Sequence, residues 1–179
     1  MKKAVVLLSG GLDSATTLAI ARNQQFACYA LSVHYGQRHQ SELTAAQHIA
    51  RQLQAREHRL ITVDLSVFGG SALTDESIVV PTNGAVKDTI PITYVPARNT
   101  IMLSLALAWA ETLACQDIFI GVNAIDNKKY TDGRPEYITA FEKMANLATK
   151  ATIEGKKITL HTPLIHLSKS DIIRTGIAL

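Results

Sequence analysis

The chain has 179 residues, enough for one domain of ordinary size that buries roughly 70% of the surface its unfolded form exposes. Hydrophobic residues make up 47% and charged residues only 18%, which excludes a disordered polyelectrolyte, a collagen-like repeat and a coiled coil. Eighteen Lys and Arg against fifteen Asp and Glu leave a net charge of +3, which suits a small anionic ligand but is no nucleic-acid footprint.

The chain opens with Lys2-Lys3 and a run from Ala4 to Leu8, too short for the apolar core of a signal peptide. The longest apolar stretch, Ile101 to Ala110, is about half a membrane span, so the chain is read as soluble and cytoplasmic, with no membrane contact. Ala4–Leu8 reads as a buried strand and Asp13–Arg22 as a helix. Phe26–Val33 is a second strand. Ser41–Gln54 follows as an amphipathic helix with Leu43, Ala46, Ile49, Ala50 and Leu53 at helical spacing. His58–Val63 is the third strand. Cys28 and Cys115 are far apart and lie in apolar surroundings, as free buried thiols do in a reducing compartment.

Asp64 to Ala97 breaks the alternation, with three prolines and Gly69-Gly70, and is expected to be a long inserted loop, either a lid or a surface insertion. Arg98–Ala114 is an apolar helix, Asp117–Val122 a fourth strand, Arg134–Lys150 a helix and Ile158–His161 a short fifth strand. Ser168–Thr175 closes the chain as a helix capped by Ser168 or Ser170. The alternation predicts an α/β fold: a doubly wound, mainly parallel five-stranded sheet with helices on both faces, formed by residues 1–179 as one domain. Such sheets bind ligands beyond the carboxyl ends of their strands.

Ser9-Gly10-Gly11-Leu12-Asp13-Ser14 sits between the first strand and the first helix. Two glycines there permit positive φ and keep Cβ atoms out of a ligand's way. Backbone amides, the Ser9 and Ser14 hydroxyls and the helix N-terminus then converge on an anion, with Thr16 and Thr17 as further donors. Asp13 reads either as the helix N-cap or as a ligand bringing Mg²⁺ to a polyphosphate. No GxxxxGK[ST] is present and no GxGxxG follows the first strand.

SGGLDS after an apolar strand resembles the PP-loop of ATP pyrophosphatases, which cleave ATP between the α- and β-phosphates. His34-Tyr35-Gly36-Gln37-Arg38-His39, Val95-Pro96-Ala97-Arg98-Asn99, Gly121-Val122-Asn123-Ala124, the segment Tyr130 to Tyr137, and Thr162-Pro163-Leu164 narrow the likeness. Together they are similar to the 7-cyano-7-deazaguanine synthase family. The resemblance implies an ATP-dependent ligase of queuosine biosynthesis. It would convert 7-carboxy-7-deazaguanine and ammonia into the nitrile through an adenylated carboxylate and an amide, with a homodimer left open. It implies ATP binding along Leu8, Ser9, Gly10, Gly11, Leu12, Asp13, Ser14, Ala15, Thr16, Thr17 and Leu18, with Mg²⁺. Asp13, Ser14 and Lys169 become the candidate catalytic residues. Lys169 begins the last helix, which in this fold faces the first loop, so it is expected either to neutralise the leaving pyrophosphate or to be an ordinary solvated lysine.

The candidate substrate residues lie in two groups. Arg98 and Asn99 open the apolar helix, where Arg98 can take a phosphate or carboxylate by two parallel hydrogen bonds. Asn123, Asp126, Tyr130, Asp132 and Arg134 crowd the loop after the fourth strand. There a carboxylate suits the amine edge of a guanine-like base and Tyr130 offers a stacking face; otherwise Asp132 caps the helix starting near Arg134. Neither histidine pair, His34 with His39 or His161 with His166, has a third ligand, so no metal is assigned to them.

The family usually carries a cysteine where this chain has Gly133. It also continues into a tail whose four cysteines bind Zn²⁺. The ending Ile177-Ala178-Leu179 is read as a truncation rather than as a zinc-free member. Two rival readings are another PP-loop enzyme that modifies tRNA or forms amides, and an ATP-binding module without catalysis. The first is opposed by the weak charge excess, and nucleic acid is not expected as a partner.

Overall fold

The computed structural model describes residues 1–37, 41–75, 78, 90–125 and 130–179. Five strands form one sheet: β1 (Lys3–Leu7), β2 (Ala27–His34), β3 (Glu57–Thr62), β4 (Asp117–Phe119) and β5 (Thr159–His161). The helices are α1 (Leu12–Asn23), α2 (Ser41–Gln52), α3 (Arg98–Thr112), α4 (Pro135–Ala148), the single turn α5 (Lys150–Ile153) and α6 (Lys169–Ala178). The strand order is β3-β2-β1-β4-β5 and every pairing is parallel.

β1 is central because its residues are apolar on both sides. Val5 and Leu7 join a core with α3 and α4, while Ala4, Val6 and Leu8 join a second core with α1 and α2. A strand buried on both faces has to read as an unbroken apolar run, as Ala4–Leu8 does. From β1 the chain winds outward to β2 and β3, then returns to lay β4 on the other side. The reversal falls between β1 and β4, so a crevice opens at their carboxyl ends.

Three predicted elements differ in extent. The fourth strand stops at Phe119 rather than Val122: Ile120 N–H still donates to His161 O, but Gly121 beyond it packs against the backbone of α1. The predicted helix 134–150 breaks at Thr149, which is extended (φ −108°, ψ 149°) and donates its hydroxyl to Ala145 O. The helix predicted to reach Gln54 ends at Gln52, and Gln54 turns at φ 52°.

The segment 64–97 is more packed in its described parts than a surface insertion. Ser66–Phe68 forms a 3₁₀ turn, Leu65, Ala72 and Val95 are buried, and Ala72 N–H donates to Ile92 O at 2.9 Å, tying the two ends together. The lid reading covers all of 64–97, of which residues 76, 77 and 79–89 lie outside the described residues.

The outer edge of β5 is closed by α4. Asn146 accepts from Ile158 N–H and donates to Ile158 O at 2.9 and 2.8 Å, and Glu142 accepts from Leu160 N–H at 2.8 Å. Side chains thus occupy the backbone groups that an edge strand otherwise offers to a neighbour. No described helix is long and apolar enough to cross a membrane.

Candidate functional site

A cleft of about 470 Å³ lies at the carboxyl ends of β1 and β4. Apolar ends of the central strands line it, with Leu31 and Val33 of β2 and Ile120 and Val122 after β4. The rim is polar and comes from the starts of four helices: Asp13 and Ser14 of α1, Glu42 of α2, Arg98 and Asn99 of α3, and Lys169 of α6.

The loop from Ser9 to Ser14 is organised by its own hydroxyls. Ser14 Oγ donates to Gly11 O at 2.9 Å, so it accepts from both Ser9 N–H and Ser9 Oγ, each at 3.1 Å. Gly11 is the N-cap of α1, with φ −82° and no capping side chain. Of the two expectations for Asp13, this corrects the N-cap: the residue lies inside the first turn rather than at the cap. An uncapped N-terminus leaves the first-turn amides without helical partners, and they open toward the cleft at the positive end of the helix dipole.

Only Gly10 of the two loop glycines has positive φ (91°). Its need for glycine comes from packing as much as from a ligand. A Cβ there would overlap Glu42 O and sit 2.9 Å from Ala46 N, both in the backbone of α2. Gly121 serves the same purpose across the site, since a Cβ would meet Thr17 Oγ1 at 2.8 Å and Asp13 O at 2.9 Å.

Lys169 Nζ donates to Asp13 Oδ1 at 2.7 Å, joining positions 156 residues apart. Ser168 caps α6 by accepting from Asp171 N–H, which sets Lys169 at the first position of that helix. The ion pair stays in contact with solvent, with side-chain exposures of 55% for Lys169 and 25% for Asp13. Arg98 stands on the opposite rim with its guanidinium 5.7 Å from the centre of the Tyr35 ring.

Several predicted residues do structural work. Thr16, Thr17 and Leu18 are buried and do not line the cleft. Thr17 donates to Asp13 O at 2.8 Å, and Thr16 lies where a Cβ on Gly176 of α6 would strike it. Ala15 likewise lies off the cleft, while Leu8 and Leu12 line it. Asn123 donates to Leu167 O at 2.7 Å and accepts from Ile125 N–H at 2.8 Å, fixing its loop to the segment before α6.

Asp132 does not cap α4. Its carboxylate accepts from Asn99 N–H at 3.0 Å, and Asn99 returns a hydrogen bond to Asp132 O at 3.1 Å. This reciprocal clamp serves α3, whose own N-cap, Ala97, is left-handed (φ 53°) and has no capping side chain. Tyr130 lines the cleft beside Tyr94, whereas Arg134 is exposed and bonds back to Thr131 O at 3.4 Å. Tyr137 points away to donate to Thr100 Oγ1, and burial pushes its phenol above the ordinary range. Arg38, His39 and Asp126 lie outside the described residues.

The apolar wall and Glu42 were not legible as site residues. Their signal was position alone, at strand ends and in the first turn of α2. Among the described residues, no group of three His, Cys, Asp or Glu side chains stands close enough to hold a metal. The two cysteines are buried in different cores, and burial pushes the Cys28 thiol up to about 11. The described residues therefore do not fit the Zn²⁺ site implied by the resemblance.

The family model for queuosine biosynthesis protein QueC matches residues 3–179. The chain belongs to the QueC family. This QueC-family chain is 67% identical over 178 residues to a 7-cyano-7-deazaguanine synthase of Aromatoleum aromaticum, covering 99% of the chain and 78% of that protein. It is 67% identical over its full length to a second from Dechloromonas aromatica, 79% of which is covered.

Two distant solved structures share the fold. A predicted subunit of tRNA methyltransferase from Methanocaldococcus jannaschii has a TM-score of 0.62 at 16% identity, covering 99% of this chain and 75% of that one. NMN synthetase from Francisella tularensis has a TM-score of 0.58 at 19% identity, covering 99% and 61%.

Proposed function

We propose that this chain is an ATP-dependent ligase that converts 7-carboxy-7-deazaguanine and ammonia into 7-cyano-7-deazaguanine. Its membership of the QueC family supports the substrate and product. The observation that carries the chemistry is the contact of Lys169 with Asp13 at the uncapped start of α1.

An uncapped helix start beside a lysine is suited to a polyphosphate, which takes hydrogen bonds from amides and charge from the ammonium. Asp13 fits the need of Mg²⁺ for one or two protein carboxylates, the remaining ligands coming from phosphate and water. When bound, Mg²⁺ supplies charge neutralisation at the phosphates.

The substrate carboxylate attacks the α-phosphate of ATP, giving an acyl adenylate and releasing pyrophosphate. Ammonia displaces AMP to form the amide, whose oxygen is activated by a second ATP and leaves with loss of protons as the nitrile forms. The protein's task is positioning: amides of the α1 start and Lys169 hold the leaving pyrophosphate. Arg98 takes a carboxylate or phosphate on the opposite rim. Tyr130 supplies an aromatic face for the base, and Asn99, Asn123 and Asp132 shape the wall.

The test is pyrophosphate release from ATP and Mg²⁺ in the presence of the deazaguanine acid and ammonium, repeated with each withheld. Release that requires the acid is the expected result. ATP binding with no acid-dependent release would refute the ligase reading and leave a nucleotide-binding module.

A further inference from the structure

A chain of hydrogen bonds reaches the phosphate loop from outside the cleft. Ser32, on β2, is almost fully buried at 1% exposure, and its hydroxyl donates to Leu8 O at 2.6 Å. His58, on the edge strand β3, places Nε2 2.7 Å from the same hydroxyl oxygen. A carbonyl can only accept, so the single Ser32 proton goes to Leu8 O and His58 Nε2 carries the proton it donates. Burial, with a contribution from Arg51 on α2, holds the His58 pKa below its ordinary value, and the neutral ring therefore adopts the Nε2–H tautomer.

The carbonyl of Leu8 and the N–H of Ser9 belong to one peptide unit. Drawing electron density toward the carbonyl oxygen makes the attached N–H a stronger donor, and successive hydrogen bonds polarise one another. That N–H is the one donated to Ser14 Oγ at 3.1 Å, and Ser14 Oγ donates onward to Gly11 O at 2.9 Å. The relay thus runs His58, Ser32, the Leu8–Ser9 peptide, Ser14, Gly11. Ser32 also stands where β1 leaves the sheet, because the last backbone bond there is Leu8 N–H to Leu31 O. Neither Ser32 nor His58 lines the cleft.

We propose that His58 is a positioning residue of the phosphate loop, acting through Ser32 on the Leu8–Ser9 peptide to fix the direction and donor strength of the loop's first amide. The role in catalysis rests on the ligase reading; the hydrogen-bond relay itself does not.

Two readouts separate them. The first is the ¹⁵N shift of the Ser9 amide in nucleotide-free protein, compared among wild type, H58L and H58Q. The glutamine amide can donate from about where Nε2 stands, so H58Q should keep the wild-type shift while H58L loses it. The second is the steady-state KM for ATP in pyrophosphate release with the deazaguanine acid and ammonium. H58L should raise it about three- to tenfold, the effect of one neutral hydrogen bond, with kcat less affected. H58Q should stay within about twofold of wild type, and S32A/H58L should match S32A alone because both changes break the same relay.

An unaltered Ser9 shift in H58L, or an H58Q as impaired as H58L, overturns the proposal. If H58L does not fold, H58N, whose amide is too short to reach Ser32, replaces it. If wild type itself releases no pyrophosphate, the ligase reading fails and the Ser9 shift alone decides the relay.

Discussion

Replacing Gly10 by alanine should cost far more than replacing Gly155, although both glycines have positive φ, 91° and 74°. At Gly155 a Cβ meets nothing within 4 Å, so the change carries only the left-handed backbone penalty of about 1–2 kcal/mol. At Gly10 the same penalty is joined by overlap with Glu42 O and a 2.9 Å approach to Ala46 N. Both neighbours are helix backbone, so α2 must shift as a body, and overpacking of this kind adds about 1–3 kcal/mol. The expected total is about 2–5 kcal/mol. In a domain of this size each kcal/mol moves Tm by about 2–4 °C. G10A should therefore melt about 4–20 °C below wild type and G155A about 2–8 °C below. Thermal unfolding by circular dichroism, with urea midpoints as a second measure, tests the ordering. A G10A protein as stable as G155A would show that the loop and α2 are not in the contact described, and the packing argument for Gly10 would fall.

Asp13→Asn should leave Tm within about 4 °C of wild type, because a solvent-accessible ion pair contributes about 1 kcal/mol or less. It should lower pyrophosphate release at least about tenfold; wild-type turnover would remove Asp13 from the mechanism. Asp132→Ala strips the start of α3 of its carboxylate acceptor and should cost about 1–3 kcal/mol in urea unfolding, whereas Asp132→Asn keeps an acceptor oxygen and should lose less than half of that. Equal losses would mean that the charge, not the hydrogen bond, holds the clamp. His58 has a folded-state pKa below the unfolded value of 6.5, so the unfolded chain binds more protons and stability falls as pH drops through that range. H58Q should flatten this acid limb of a Tm–pH series below pH 6.5, and an unchanged limb would assign it to other groups.

The sheet was legible because its signals are local. The apolar run Ala4–Leu8, the glycine loop and the following helix are contiguous, and the structure builds them in that order. What the chain order hides is which side of a helix meets which neighbour. Thr16 and Thr17 look like loop donors, yet α6 and the segment after β4 claim that face of α1. Asp132 looks like the cap of the helix just after it, but its partner is Asn99, 33 residues earlier. The Ser32 and His58 side chains carry no local signal, since their meaning arises only when β2 lies between β1 and β3. Of the two readings of Asp13, the N-cap fails for a simpler reason: glycine is tolerated at an N-cap at a cost of only a few tenths of a kcal/mol, so the helix can start at Gly11 with no capping side chain.

The closed edge of β5 also bears on the order of folding. Asn146 and Glu142 meet their backbone partners across 12 and 18 residues, loops that are cheap to close. The central strands meet across much longer stretches, as when Cys115 reaches Lys3 O over 112 residues. Loop-closure entropy separates a 12-residue from a 112-residue contact by about 2 kcal/mol. The α4–β5 unit is thereby favoured to form as an early local nucleus, carrying β4 toward β1 once its own far edge is satisfied. The crevice between β1 and β4 is then among the last parts of the molecule to close, so partly folded chains expose the ends of its walls before they can bind anything.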